Sequence, residues 1–176
     1  MKKIFLLIIA VFIWQLNSAQ TILSEDFSGT AWPPEGWSFE EQPLNWLRSG
    51  TNNAGGEAPE ARFRRVPLFS GNSRMVSPQL DLTGVEYIQI RFKHNVDFNT
   101  GNFTIGVSTR SGGASGAWNN VWTQPVAFHV PATEIELLVS NADVGASNFQ
   151  IGFFFQGNSA NINSWFIDDV EVIEFT

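Results

Sequence analysis

The chain has 176 residues, 10 Lys and Arg against 17 Asp and Glu, a formal net charge of −7, no Cys, 7 Trp and 16 Phe. That length fits one or two domains, and the acidic balance leaves no basic surface to neutralise a nucleic-acid backbone. Without Cys there is no disulfide scaffold, thiolate zinc site or thiol nucleophile, and 14% aromatic against 15% charged residues describes a packed chain.

Met1-Lys2-Lys3 precede an apolar run from Ile4 to Trp14, followed by Asn17-Ser18-Ala19-Gln20. A basic start, a short apolar stretch and a small residue at the junction predict a cleavable secretory signal peptide over 1–19. The run falls short of the roughly 20 residues that a hydrocarbon core demands. The single domain expected over 20–176 is therefore exported, acidic and not inserted in a membrane. In an oxidising compartment it must draw its stability from packing or a bound ion.

Past Gln20 no stretch repeats with helical period, whereas alternation of apolar and polar residues recurs between Gly, Asn, Ser and Pro clusters. Thr21 to Phe27 forms the first strand. The segment from Ser28 to Gly71 lacks clean alternation and is rich in Pro and Gly, so it is expected to form long ordered loops pinned by Trp32, Trp37 and Trp46. From Tyr87 to Phe98 the residues Ile88, Ile90, Phe92, His94, Val96 and Phe98 share one parity, predicting a long strand with one face on a core. Further strands are expected around Phe103–Val107, Glu134–Val139, Phe149–Phe155 and Trp165–Phe175. Strands, turn signals and no helices predict an all-β fold, a two-sheet antiparallel β-sandwich.

Catalytic chemistry is sparse. His94 sits in an apolar row and reads as a satisfied sheet histidine; the other histidine is His129. Gly106-Val107-Ser108-Thr109-Arg110 lacks the second Gly of a nucleophile elbow, and Gly112-Gly113-Ala114-Ser115-Gly116 has no following helix to hold a phosphate. The chain is not expected to be an enzyme. Arg62, Arg64, Arg65 and Arg74 form its one basic cluster, read as a solvated strand edge or as partners for acids, with an anionic ligand as the sharper option.

The terminal strands carry acids in apolar rows. Glu25 has the parity of Leu23 and Phe27, with Asp26 beside it. In Trp165-Phe166-Ile167-Asp168-Asp169-Val170-Glu171-Val172, one of Asp168 and Asp169 must share an apolar face. A buried carboxylate needs a partner. If the first and last strands are neighbours, Glu25 comes within reach of Asp168 and Asp169, with Asp26 a further candidate ligand, and a structural Ca²⁺ with its preference for oxygen resolves the repulsion of the three. The alternative is that each carboxylate pairs with an Arg or caps a turn.

Glu25-Asp26-Phe27, Pro33-Pro34-Glu35-Gly36-Trp37, Asn53-Ala54-Gly55-Gly56 with Pro59-Glu60, Ser77-Pro78-Gln79-Leu80-Asp81-Leu82 and Trp165-Phe166-Ile167-Asp168-Asp169-Val170 together resemble the MAM-like jelly-roll family. Its bacterial members are the cleaved-adhesin or choice-of-anchor J domains of secreted proteins. The resemblance implies a jelly-roll sandwich acting in adhesion or ligand binding, often calcium-stabilised, with ligands matching Glu25, Asp168 and Asp169. The expectation is a secreted, non-catalytic module that recognises an extracellular protein or glycan, with Trp118 and Trp122 as candidates for stacking on a sugar ring. The alternatives are a small secreted hydrolase, an accessory carbohydrate-binding module of an extracellular enzyme, and a purely structural matrix protein.

Overall fold

The computed structural model describes residues 20–175; the predicted signal peptide lies outside them. Eleven strands run in chain order: β1 (Thr21–Glu25), β2 (Ser38–Glu40), β3 (Trp46–Ser49), β4 (Glu60–Arg64), β5 (Ser70–Val76), β6 (Ile88–Phe98), β7 (Phe103–Arg110), β8 (Asn119–Val126), β9 (Val130–Val139), β10 (Gln150–Asn158) and β11 (Ile162–Glu174). Three short 3-10 turns interrupt them, and the described residues contain no α-helix. One sheet has the order β3-β4-β11-β6-β9 with β1 also on β11; the other has the order β2-β5-β10-β7-β8. Every pairing is antiparallel.

The alternation of β6 works as read. Ile88, Ile90, Phe92 and Val96 face inward and are buried, while Gln89, Arg91, Lys93, Asn95 and Asp97 face out. Opposite them Ile151, Phe153 and Phe155 of β10 complete the core, with Phe92 and Phe153 rings 5.0 Å apart edge to face and Phe63 stacked 4.7 Å from Phe155. Fully buried aromatic side chains of this size supply most of the apolar area removed from water.

The segment from Ser28 to Gly71, expected as ordered loops, is more regular than that. It contains β2, β3, β4 and the first residues of β5. These strands are three to five residues long before β5, and their two faces are both occupied, so alternation is blurred. The tryptophans do pin the segment: Trp46 stacks with Phe39 and donates its indole N–H to Ser73 Oγ at 2.8 Å, and Trp37 packs on Phe27.

One irregularity organises the rest. Along β11, Trp165 and Ile167 face the core before the Asp168-Asp169 pair, and Val170 and Val172 face it afterwards. Against β6, Asp168 pairs with Lys93 and Glu171 with Arg91, so β11 spends one extra residue there. Asp169 absorbs it with a positive φ of 47°, the mark of a bulge. On its other side β11 pairs with β4 through Ser164–Ile167 and with β1 through Val170–Ile173. Strands β4 and β1 thus lie end to end along one side of β11, and the bulge falls at the gap between them.

Candidate functional site

The gap collects acids. Glu25 stands opposite Val170, and Glu60 begins β4 one register step beyond the Ile167–Ala61 pair. Asp168 is wholly buried, and its Oδ2 meets no hydrogen-bond donor. Burial, aided by the nearby Asp169, Glu60 and Asp26 charges, pushes its carboxyl up to about 7, against one bond from the Asp169 N–H. The loop between β3 and β4 covers it: a Cβ added at Gly56 would stand 2.7 Å from Asp168 Cγ, so only glycine lets the backbone close over the carboxylate there.

Glu60 holds that loop in place. Its Oε1 accepts the Thr51 hydroxyl (2.6 Å), the Asn53 N–H (2.8 Å) and the Asn53 side-chain amide, and its Oε2 accepts the Ala54 N–H (2.7 Å). Outside the resemblance, nothing in the sequence singled out this residue; its parity matches exposed Arg64, and its partners sit on a loop with no periodicity.

The four predicted ligands divide. Asp26 and Asp169 lie near enough to Asp168 for their charges to act on it, and Asp169 also ion-pairs with Lys93 at 2.7 Å, whereas Glu25 stands opposite Val170 with its carboxylate beside Trp37. Glu25 Oε1 accepts the Phe27 N–H at 2.7 Å, and burial raises its carboxyl above the ordinary value. Asp26 Oδ1 accepts the Ser28 N–H at 2.9 Å, and its hydrogen bonds with Ser28 hold it low. Turn capping and ion pairing therefore satisfy part of the set and leave Asp168 unanswered. Among the described residues no three His, Asp or Glu side chains form a ready ligand group. A Ca²⁺ here would take Asp168 Oδ2, a neighbouring acid at the gap and backbone carbonyls; the orphaned oxygen and the glycine closure fit such an ion.

The two candidate tryptophans part company. Trp122 pairs with Val107 and packs edge-on against Phe92 and His94, 5.6 and 5.5 Å away, so it belongs to the rim of the core. Trp118 lies over the outer face of the five-stranded sheet. Arg74 and Arg110 place their guanidinium carbons 4.5 and 4.3 Å from its ring centre, and its indole N–H donates to Glu40 Oε2 at 3.0 Å. Arg110 also bonds Glu40 Oε1 (2.7 Å) and Gln150 Oε1 (3.0 Å). A large part of Trp118's binding capacity is used inside the molecule.

The basic cluster read from the sequence disperses: Arg62 and Arg64 lie on β4, and Arg74 lies in the other sheet. His94 is the satisfied histidine expected, its Nδ1 accepting the Trp165 indole N–H at 3.3 Å, and burial lowers its pKa to about 4. Ser108 Oγ donates to the Gly152 carbonyl, away from either histidine.

No known family model matches the sequence, and no curated protein does. Solved structures do match in fold. The K1 cleaved adhesin domain of Lys-gingipain from Porphyromonas gingivalis superposes with a TM-score of 0.63 at 13% identity, covering 87% of this chain and 97% of that one. The CBM22-1 xylan-binding domain of Paenibacillus barcinonensis Xyn10C gives 0.57 at 9% identity, over 90% and 97%. TmCBM61, solved with β-1,4-galactotriose, gives 0.53 at 12% identity, over 80% and 90%. The fold is that of the cleaved-adhesin and carbohydrate-binding jelly rolls.

Proposed function

We propose that the chain is a secreted, non-catalytic recognition module that binds glycans outside the cell and is stabilised by a structural calcium ion. The observation that carries the glycan reading is a fold shared along nearly the whole described chain with modules that bind xylan and β-1,4-galactotriose. Support for export comes from the Met1–Ala19 pattern, and among the described residues no helix is long and apolar enough to cross a membrane. Support for calcium comes from Asp168, a buried carboxylate oxygen without a donor, beneath a glycine closure and beside Asp169, Glu60 and Asp26. The ion would supply charge neutralisation; the protein's own part is to hold Asp168 at the bulge and the covering loop around Glu60.

The test is a glycan and matrix-protein array probed with purified protein, with calcium and with chelator. Glycan signal with no turnover of the bound material supports the reading. Binding only to proteins would redirect it to protein adhesion, and hydrolysis abolished by one substitution would replace it with an enzyme.

A further inference from the structure

The outward face of the six-stranded sheet carries a pocket of about 500 Å³ bounded by Asn53, Asn95, Asp97, His129, Pro131 and Phe166, within the usual size range of ligand sites. It lies on the sheet opposite to the one that holds Trp118, with Asn95 and Asp97 of β6 as floor, the start of β9 as one wall and the β3–β4 loop as the other.

Its polar groups are oriented by the protein. Asn53 donates its side-chain N–H to Glu60 Oε1 (3.2 Å), and Asn95 donates its own to the Val130 carbonyl (3.0 Å), so both turn an amide oxygen loose as acceptor. His129 Nδ1 faces the Phe98 N–H (3.2 Å) and Asp97 Oδ1 (3.4 Å), so Nε2 is the ring nitrogen left for a ligand. Asp97 Oδ1 accepts from Asn163 (3.2 Å), leaving its second oxygen. Phe166, with the Arg62 guanidinium 5.5 Å from its ring centre, and Pro131 supply apolar contact. Fixed acceptors, a free ring nitrogen and an apolar flank suit a sugar ring, whose hydroxyls donate and accept and whose C–H face is apolar.

The same features exclude other occupants. β6 is paired on both sides, by β11 and β9, so no strand edge is open for an extended peptide to join. Asp97 lines the pocket of a chain with net charge −7, which disfavours anionic sugars and polyanions. At one end the pocket is closed: the covering loop reaches β9 where a Cβ at Gly55 would lie 3.4 Å from the Ala132 side chain, above Lys93, the next outward residue of β6. A polymer cannot run through.

We propose that this pocket binds the terminal residues of a neutral oligosaccharide, an assignment that rests on the glycan-binding function proposed above. The experiment titrates the intact protein with neutral oligosaccharides of increasing length, the same chains capped at each end, and uronic-acid-containing chains. The expected result is affinity that levels off after a short length, loss on capping one end, and weak binding of the acidic chains. His129→Ala and the pocket-filling Pro131→Trp, each with unchanged thermal unfolding, should each weaken binding about ten-fold or more, as expected for a lost hydrogen bond or a blocked site. Neutral binding by the wild type that neither variant alters, or that ignores end-capping, overturns the pocket and leaves the glycan reading standing. No neutral glycan bound by the wild type overturns both.

Discussion

Asp168 and Glu60 are buried carboxylates on adjacent strands, facing the same closed loop, yet only Glu60 is saturated with donors. The pair separates two tasks that share one chemistry. Glu60 folds the loop over the gap, and Asp168 is the charge which that loop then strands.

Asp168→Asn should therefore act in opposite directions with and without calcium. In chelator the substitution removes a stranded charge and raises stability by about 2 kcal/mol at pH 8. Because the folded carboxyl titrates at about 7 and the unfolded one near 3.8, that gain fades as pH falls from 7 towards 4. In millimolar calcium the same variant should be less stable than the wild type. Denaturant unfolding under both conditions checks the reversal; a wild type indifferent to chelator would remove calcium from the account.

Glu60→Ala should release the covering loop. Four donors lose their acceptor, at a cost of about 3 kcal/mol to global stability. Hydrogen exchange should show the Asn53 and Ala54 amides losing protection first, before any core strand.

His94 should impose an acid limb. Its pKa is about 4 folded against 6.5 unfolded, so the unfolded chain binds the extra proton between those values and stability falls as pH drops through the window. The contribution is about 3 kcal/mol from the shift itself. Asp168, whose folded pKa is raised, slopes the other way over much of the same range. The measurement is best made in the Asp168→Asn background, where adding His94→Asn should flatten the profile between pH 4 and 6.5.

Gly106→Ala should be costly although glycine is usually a poor strand residue. A Cβ there would sit 2.5 Å from the Phe154 ring and closer still to the Trp122 carbonyl. Overpacking against backbone costs about 2 kcal/mol. A thermal scan showing a neutral or stabilised variant would mean that both Phe154 and the β8 backbone at Trp122 can give way.

The sandwich was legible where strands are long and half-buried, as in β6, where six inward residues share one parity. It was illegible between Ser28 and Gly71, where β2, β3 and β4 are too short to establish a period. The terminal acids were legible as a problem, because neither parity of 165–172 was free of both carboxylates and apolar residues. Their resolution was not: a bulge changes the inward parity in mid-strand, so Trp165 and Val172 both reach the core. Trp122 was open to both readings because a tryptophan near a glycine-rich loop looks the same in sequence whether it plugs the core or greets a ligand. Glu60 escaped because two of its donors are backbone N–H groups, which every sequence has, and the other two belong to a Thr and an Asn on a loop without period.

The strand that seats β1, β4 and β6 comes last in chain order among the eleven described. Until β11 arrives, the segments that flank it have no neighbour along one whole edge, and the pairings it makes join positions far apart in the chain. The six-stranded layer therefore closes in a late step, and the acidic gap comes into being only with it.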